Sequence, residues 1–418
     1  MERDSERRHI AFSFTSHGFG HLSRTLRVLD AFLELHPCVD VTVSCRAPRW
    51  LLDRHLRREV RVRDVDFEPG TVQKNCFEVD VDATRSAYAR FAAERAQRLE
   101  REERFFRGED VTGLVVDIPA LPVRAASELG IPSVGVANFT WDWILEPVLD
   151  AAAVAQIRAD YASGDLLLSL PFGPGSGPFR ELEHAPLVGP GPALPRAEVL
   201  QRIGLEPGES RPIVLVCIGG WGADSWEPIC VSGCSDLQFV IVGELPIEPH
   251  APTLRLASDV GPGVGVSDLV AAADVVMTKP GYGIASECVT YGVPMVGIER
   301  RGFRESGELV RGLTAIGAFR PLALEDFFAG SWERPIRELL ALHPTGRARP
   351  VDGLGAAAPG RAARRVAVRL GEFFALGPRQ AVGRAFLETS SEQRIEADRN
   401  DALSPSGTCR VGSDWRNA

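Results

Sequence analysis

Residues 273–296 read ADVVMTKPGYGIASECVTYGVPMV. The pattern predicts a buried strand over 274–278, a glycine-rich turn over 279–283, a helix over 284–291 and a second strand over 294–298. A strand that leads through a glycine-rich turn into a helix is a general device for holding phosphate. Unpaired backbone N–H groups and the positive end of the helix dipole both face the bound anion.

Two side chains in this stretch add to the phosphate device. Lys279 places a cation at the end of the first strand, and Glu287 lies about one turn into the helix, where a carboxylate can take a ribose diol. The chain has one other lysine, Lys74, and otherwise uses arginine, which favours a specific role for Lys279. Diphosphate and ribose together indicate a nucleotide, and the missing Walker sequence indicates that it is not hydrolysed as ATP.

The bulk composition excludes several classes of protein. The 418 residues are enough for two domains with substantial cores and a tail. No apolar run is long enough to span a bilayer and the first residues are polar, so we expect a soluble, cytoplasmic protein. The net charge of -9 argues against general affinity for nucleic acid.

The cysteines have no paired metal spacing. Cys230 and Cys234 are four residues apart, but no second pair accompanies them, so we expect reduced thiols and no metal.

The chain repeats one plan of alternating strands and helices. Strands are predicted at 10–15, 40–45, 60–66, 112–117 and 132–137, and again at 212–217, 237–242, 253–257, 274–278 and 294–298. This alternation predicts two Rossmann-like α/β domains, each a doubly wound parallel sheet covered by helices on both faces. The predicted limits are an N-terminal domain over 1–185, a Gly- and Pro-rich linker over 186–210, a C-terminal domain over 211–345, a closing helix region over 346–376 and a disordered tail over 377–418.

The ends of the first and fourth strands carry the candidate ligand loops of each domain. In a sheet with strand order 3-2-1-4, these two strands are neighbours where the order reverses, and ligands bind beyond their carboxyl ends. This order brings residues 16–21, SHGFGH, beside Asp117, and residues 218–222, IGGWG, beside residues 279–283. We therefore expect one site in each domain, with the two sites facing each other across a cleft.

His21 and Asp117 are the candidate catalytic residues of the first half. His21 begins a helix, whose dipole disfavours the imidazolium form and leaves a neutral ring ready to take a proton. Asp117 ends the fourth strand and could orient that ring, so that the pair deprotonates a hydroxyl nucleophile. In the alternative, His21 only starts its helix and Asp117 only caps one. His17, in the same turn, is expected to shape the loop or to touch the acceptor.

Aromatic side chains follow the fifth strand in residues 138–143, NFTWDW. Trp141 and Trp143 could stack on the face of a sugar in the acceptor site. The alternative is that both rings belong to the core, which is the commoner fate of tryptophan.

Two other nucleotide-related patterns are not favoured. The Asp-x-Asp triplets at 64–66 and 80–82 could indicate a metal-dependent sugar transferase, but the first lies in an alternating stretch typical of the outer face of a strand. A dinucleotide site is also disfavoured, because Ser23 stands where the third glycine of the fingerprint belongs. The second strand moreover ends without the acidic residue that would take a ribose.

The ordered motifs resemble the GT-B glycosyltransferases. Residues 278–296 are similar to the donor-binding signature of the lipid II-forming N-acetylglucosaminyltransferase and of the diacylglycerol glycosyltransferases. The motifs TSHGFGH, FEPG, NFTWDW and KPGYGIASE, in this order, resemble still more closely the glycosyltransferase-like N-terminal region of plant L-arabinokinase. This resemblance, over roughly residues 8–345, implies two Rossmann-like domains facing each other across a cleft. The sugar-kinase domain of the arabinokinase has no counterpart here, so kinase activity is not expected.

The resemblance also implies roles for single residues. It implies ribose binding by Glu287, diphosphate binding at Gly281, Gly283 and Ser286, a first glycine loop of the donor domain at Gly219 and Gly220, and a base at His21 with Asp117 as its partner. The sequence departs from the family in two places. Lys279 stands where many nucleotide-sugar transferases have histidine. The glutamine that often contacts the donor sugar is absent, and Glu305 and Glu308 are the nearest polar candidates for that contact.

These observations predict an inverting, metal-independent glycosyltransferase that moves a sugar from a nucleotide-sugar, most simply UDP-linked, to an acceptor hydroxyl. A nucleotide-sugar 2-epimerase on the same fold is one alternative, and a non-catalytic nucleotide-sugar-binding protein is another. We expect no cofactor besides the nucleotide-sugar co-substrate. The acceptor is not identified by the sequence, and peripheral contact of the first domain with a membrane stays open.

Overall fold

Two parallel β-sheets organise the chain in the computed structural model, which describes residues 8–15, 19–47, 49–218, 226–256, 263–298, 300–343 and 359–376. The strands are β1 (His9–Phe14), β2 (Asp40–Ser44), β3 (Arg61–Arg63), β4 (Gln73–Asn75), β5 (Glu78–Val79), β6 (Gly113–Asp117), β7 (Ser133–Ala137), β8 (Leu166–Ser169), β9 (Glu181–His184), β10 (Ile213–Val216), β11 (Ile229–Val231), β12 (Gln238–Val242), β13 (Ile247–Pro249), β14 (Thr253–Leu256), β15 (Val275–Thr278), β16 (Met295–Ile298) and β17 (Phe319–Leu322).

The helices cover both faces of the sheets. They are α1 (Phe19–Leu35), α2 (Arg49–His55), α3 (Val81–Gly108), α4 (Ala120–Glu128), α5 (Trp141–Leu145), α6 (Ala151–Tyr161), α7 (Arg196–Arg202), α8 (Val266–Ala272), α9 (Tyr282–Tyr291), α10 (Arg304–Ala315), α11 (Leu324–Phe328), α12 (Glu333–Leu342) and α13 (Arg361–Phe373).

The first sheet has seven parallel strands in the order β3-β2-β1-β6-β7-β8-β9. Its inner strands β1, β6, β7 and β8 are buried on both faces, which explains why each reads as a nearly continuous apolar run. Phe14 at the end of β1 lies beside Asp117 at the end of β6. The order of the first four strands confirms the predicted reversal point between β1 and β6.

The second sheet repeats this topology with six parallel strands in the order β14-β12-β10-β15-β16-β17. β10 is the first strand of this sheet along the chain, and it lies between β12 and β15, so the order reverses here as well. The prediction of two doubly wound α/β sheets is confirmed. Below, the first domain is the part of the chain built on the first sheet, and the second domain is the part built on the second.

Two connections depart from a simple tandem of two domains. The predicted linker over 186–210 contains α7, which packs on α8 of the second domain. Helix α13, from the predicted closing region, packs on α1 and so returns to the first domain. The exact domain limits stay predictions, and the predicted tail over 377–418 lies outside the described residues.

A short hairpin of the first domain is inserted into the second. Phe77, in the turn between β4 and β5, is buried and stacks on Trp226 with ring centroids 5.6 Å apart, while Phe327 meets it edge-on at 5.5 Å. The backbone of Arg301 adds two hydrogen bonds to the hairpin, one at 2.7 Å to the Phe77 carbonyl and one at 3.3 Å from the Val79 nitrogen. These contacts hold the two domains together on the side of β16.

Within the described ranges, the helices are too short or too polar to cross a lipid bilayer.

Candidate active site

The first turns of α1 and α9 touch each other across the two domains. A Cβ atom built on Gly20 lies 3.2 Å from the Gly283 nitrogen, and one built on Gly283 lies 2.9 Å from the Gly20 Cα. The two backbones therefore approach at a distance that leaves no room for a side chain on Gly283. Because α1 follows the first strand of its sheet and α9 the fourth strand of the other, both predicted ligand loops meet at this place, which we call the junction.

His21 and Asp117 form a hydrogen-bonded pair on the first-domain side of the junction. His21 lies in the first turn of α1, Asp117 ends β6, and the distance between His21 Nδ1 and Asp117 Oδ1 is 3.0 Å. Asp117 is fully buried and His21 is 8% exposed. The structure thus brings together the two residues that the sequence singled out, and their catalytic role stays a prediction.

Two further residues of α1 bind the same carboxylate. Arg24 donates from Nε to Asp117 Oδ2 at 2.7 Å and from Nη2 to Oδ1 at 2.6 Å, and Thr25 donates from Oγ1 to Oδ2 at 2.5 Å. Burial opposes ionisation of Asp117, but the charges of Arg24 and His21 outweigh it and hold its pKa well below the usual value. Arg24 and Thr25 follow His21 by three and four residues and so lie on its face of the helix. Sequence reasoning missed them, although this spacing is a signal.

Arg24 also connects the pair to the second domain. Its Nη1 donates to Asn138 Oδ1 at 2.6 Å, and Asn138 Nδ2 donates to Oε1 of Glu305, on α10, at 2.8 Å. The face of the Arg24 guanidinium lies 4.5 Å from the centre of the Tyr282 ring, on α9. Arg24, Asn138 and Glu305 are all buried. Glu305, the predicted contact to the donor sugar, is therefore hydrogen-bonded to the first domain in this structure.

The second-domain side of the junction holds two partly buried cations, Lys279 and Arg300. Burial lowers the pKa of Lys279 to about 8, and the charge of Arg300 adds to this effect. Burial likewise lowers the pKa of Arg300. The Nε atom of Arg300 is buried and has no hydrogen-bond partner among the described residues, and its guanidinium lies 4.2 Å from the centre of the Phe303 ring. Among the described residues, no carboxylate forms a salt bridge with Lys279 or Arg300. Sequence reasoning found Lys279 and missed Arg300, which follows β16 in the stretch IERRGFR.

Glu287 is the carboxylate predicted to take a ribose. It lies in α9 and is 7% exposed. Its Oε1 accepts hydrogen bonds from Arg27 Nη2 at 2.8 Å and from Ser267 Oγ at 2.7 Å. Arg27 belongs to α1, so this ion pair connects the two domains.

The other residues predicted to bind the diphosphate lie at the start of α9. Gly281 is the N-cap, and a Cβ built there would meet no atom of the described residues within 4 Å. Ser286 is buried, and its Oγ donates to the Gly283 carbonyl at 2.8 Å within the helix. His17, Gly219 and Gly220 lie outside the described residues.

The two tryptophans predicted for the acceptor site have different surroundings. Trp141 is 1% exposed and packs against Phe139 in the core of the first domain. Trp143 has the guanidinium of Arg304 at 4.7 Å over its ring, and Arg304 also donates to the Trp143 carbonyl at 2.9 Å and to Glu146 at 2.6 Å. Burial of Trp141 favours the core alternative for that ring, and Trp143 contributes to the contact between the domains.

Metal ligands were not predicted, and the described residues contain no group of three or more His, Cys, Asp or Glu side chains placed to hold a metal ion.

Comparison with known proteins gives one similar curated protein, and no family model matches the chain. L-arabinokinase from Arabidopsis thaliana is 29% identical over 349 residues, which are 81% of this chain and 33% of that protein. The chain therefore spans about a third of the length of this relative. Its activity cannot be transferred to the chain on this similarity alone.

Three solved structures with a similar fold are glycosyltransferases. The glycosyltransferase of kitacinnamycin has a TM-score of 0.59 at 16% identity and covers 88% of this chain and 99% of its own. MurG from Acinetobacter baumannii has a TM-score of 0.54 at 14% identity, covering 87% and 99%. A UDP-glucosyltransferase from Polygonum tinctorium has a TM-score of 0.57 at 12% identity, covering 89% and 99%. Together with the two parallel sheets, these structures show that the chain has the GT-B fold.

Proposed function

We propose that this protein, with its GT-B fold, is a glycosyltransferase that moves a sugar from a uridine diphosphate sugar held by the second domain to a hydroxyl of an acceptor held by the first. The transfer inverts the configuration of the sugar and needs no metal. The observation that carries the proposal is the pair of partly buried cations, Lys279 and Arg300, at the same junction as the His21–Asp117 pair.

Two neighbouring positive charges that are partly withdrawn from water favour binding of an anion between them. Burial raises the free energy of each charged side chain, and each charge raises that of the other. A diphosphate at the end of β15 would neutralise both, and the N-terminus of α9 adds unpaired N–H groups to the same place. These are the groups that would take up the charge that develops on the departing diphosphate, a role that a bound metal has in other transferases.

The His21–Asp117 pair supports the other half of the reaction. With Nδ1–H donating to Asp117, His21 presents Nε2 as a proton acceptor. The acceptor hydroxyl gives its proton to Nε2 while its oxygen forms a bond to the anomeric carbon. The bond from that carbon to the diphosphate oxygen breaks at the same time, and attack on the opposite face inverts the configuration. Uridine is favoured among the bases because one structure of the same fold is a UDP-glucosyltransferase.

Calorimetric titration with UDP, GDP, ADP and dTDP, each with EDTA, tests the donor site. We expect selective binding of UDP that is lost in Lys279→Met and Glu287→Ala and kept in Lys74→Met, since Lys74 is an exposed lysine on β4. Absence of binding by every nucleotide would overturn the proposal. Release of UDP from a UDP-sugar in the presence of candidate acceptors then tests turnover, which His21→Ala should reduce by roughly 10²–10⁴-fold.

A non-catalytic nucleotide-sugar-binding role is a second candidate, and one observation favours it. Arg24 donates hydrogen bonds to both oxygens of the Asp117 carboxylate. Its positive charge offsets the negative charge of Asp117 that would otherwise support His21 as a base. This role predicts UDP binding without turnover for any acceptor, and a biological effect that survives His21→Ala. Conversion of the donor sugar without an acceptor would instead indicate an epimerase.

A further inference from the structure

The Nδ1 atom of His21 has two competing neighbours. Asp117 Oδ1 lies 3.0 Å from Nδ1, and Arg24 Nη2 lies 2.8 Å from the same nitrogen. Arg24 is always a donor, and Asp117, held ionised by its neighbours, is always an acceptor. One ring nitrogen cannot donate to the carboxylate and accept from the guanidinium at the same time.

The two choices have opposite chemical consequences. If Nδ1 carries the proton and donates to Asp117, Nε2 has a lone pair and can take a proton from a hydroxyl. If Nδ1 accepts from Arg24, the proton is on Nε2, and the neutral ring has no lone pair left at that nitrogen for the hydroxyl. The position of Arg24 Nη2 therefore decides whether His21 can act as a base.

The position of Arg24 is fixed from both domains: its Nε and Nη2 donate to Asp117 of the first domain at 2.7 and 2.6 Å, and its Nη1 is connected to the second domain. Asn138 Oδ1 holds its Nη1 at 2.6 Å, and Asn138 is held by Glu305 Oε1 at 2.8 Å. The ring of Tyr282 supports the face of the guanidinium at 4.5 Å. Arg24 is 1% exposed and Asn138 is 2% exposed, so neither has room to rotate freely.

We propose that Arg24 is a positioning residue through which Glu305 of the second domain keeps His21 in the Nε2–H tautomer until a donor engages Glu305. When a bound sugar takes the Glu305 carboxylate, the Asn138 amide loses its 2.8 Å hydrogen bond and keeps only the 3.4 Å bond to the Phe172 carbonyl. Arg24 then shifts from Nδ1, and His21 turns into the Nδ1–H tautomer hydrogen-bonded to Asp117. The arrangement would keep the base inactive towards water while the donor site is empty. This inference deepens the function proposed above and rests on it for the role of the donor.

The nitrogen NMR spectrum of ¹⁵N-histidine-labelled protein tests the inference without any assay of turnover. Protonated and unprotonated ring nitrogens have well separated shifts, and comparison with His21→Gln assigns the signals of His21. At a pH where the ring is neutral, we expect the Nε2–H pattern in the ligand-free wild type and the Nδ1–H pattern in Glu305→Ala. Glu305→Gln is the matched control, because the glutamine carbonyl can still accept from Asn138, and it should keep the wild-type pattern.

Arg24→Met should also give the Nδ1–H pattern, but this variant leaves Asp117 charged and buried and can fail to fold, which is why Glu305→Ala is the primary test. An Nδ1–H pattern in the ligand-free wild type, or an unchanged pattern in Glu305→Ala, would overturn the inference. These outcomes do not depend on nucleotide binding, so they are separate from a failure of the proposed function. Addition of a UDP-sugar to the wild type should reproduce the Glu305→Ala pattern only if both proposals hold.

Discussion

Arg27 on α1 of the first domain donates a hydrogen bond of 2.8 Å to Glu287 on α9 of the second. The same Glu287 oxygen accepts from Ser267 at 2.7 Å, and both side chains of the ion pair are about nine-tenths buried. The carboxylate that the sequence predicts for ribose binding is therefore also a contact between the domains. A nucleotide that uses Glu287 must share it with Arg27 or displace Arg27 from it.

Replacement of Arg27 by alanine should separate these two roles of Glu287. The variant leaves a buried carboxylate without its cation, so we expect the free energy of unfolding of the ligand-free protein to fall by about 3 kcal/mol. Because the competitor for the carboxylate is gone, the affinity for UDP should rise by up to about tenfold. Denaturant unfolding and calorimetric titration measure the two changes.

Arg364→Ala is the matched control for Arg27→Ala. It removes an arginine whose partner, Glu34, also lies on α1, but both of those side chains are more than half exposed, so stability should change by less than about 1 kcal/mol. A fall in UDP affinity of Arg27→Ala as large as that of Glu287→Ala would contradict the competition, and would show instead that Arg27 itself supports the ligand.

Lys279→Met should stabilise the ligand-free protein while it abolishes nucleotide binding. The folded state holds Lys279 with a pKa of about 8, below the 10.5 of an ordinary lysine, so the charged side chain destabilises the fold at neutral pH. Removal of the charge should raise the free energy of unfolding at pH 7 by roughly 1–3 kcal/mol. Thermal unfolding with and without UDP measures both effects, with Lys74→Met as the control. A destabilised Lys279→Met variant would mean that the charge has a partner in the ligand-free protein.

The affinity for a UDP-sugar should fall as the pH rises above about 8. Lys279 loses its proton near this pH in the free protein, and the bound diphosphate favours the charged form, so the pKa of Lys279 rises on binding. Below this pH the side chain is already charged and the group adds no pH dependence. Above it, the complex must take up a proton, which lowers the affinity by up to about tenfold per pH unit.

Calorimetry at pH 9 in two buffers of different ionisation enthalpy measures this proton directly. We expect uptake of close to one proton per UDP-sugar in the wild type at pH 9 and of nearly none at pH 7, since Lys279 is then mostly protonated already. Lys279→Met should show no uptake at either pH. Equal affinities of the wild type at both pH values would remove Lys279 from the diphosphate site.

The features that depend on local pattern could be predicted from the sequence. Alternating buried strands and helices predicted both sheets, and the order of strands predicted that His21 would meet Asp117 and that the ligand sites of the two domains would face each other. These predictions needed only the rule that ligand loops lie where the strand order reverses. The positions of residues along single predicted strands and helices were sufficient to apply this rule.

The features that depend on contacts between the domains could not be predicted in this way. Arg24 reaches Glu305 through Asn138, and these three residues are far apart in the chain and lie on different elements. Among 47 basic residues, the spacing of Arg24 from His21 places it on the face of His21 but does not show that it is buried, and nothing local distinguishes Arg300 from an exposed arginine. The burial of each becomes visible only when the second sheet is placed against the first, because desolvation is a property of the assembled junction.

Glu68 provides the last prediction, because it holds the turn that follows Asp117. Its Oε1 accepts hydrogen bonds from the backbone nitrogens of Ala120 at 2.5 Å and Leu121 at 3.0 Å, at the start of α4. Burial raises the pKa of Glu68 to about 8 in spite of these bonds, so the folded state binds a proton that the unfolded state releases near pH 4.5. The stability that this proton contributes is complete below pH 4.5 and is lost as the pH rises to about 8.

Glu68→Gln keeps an acceptor for the helix and removes the titration, so its stability relative to the wild type should increase steadily between pH 5 and about 8. Urea unfolding at several pH values measures this difference, with the exposed Glu128→Gln at the other end of α4 as the control. A constant difference between Glu68→Gln and the wild type over this range would show that Glu68 is ionised throughout.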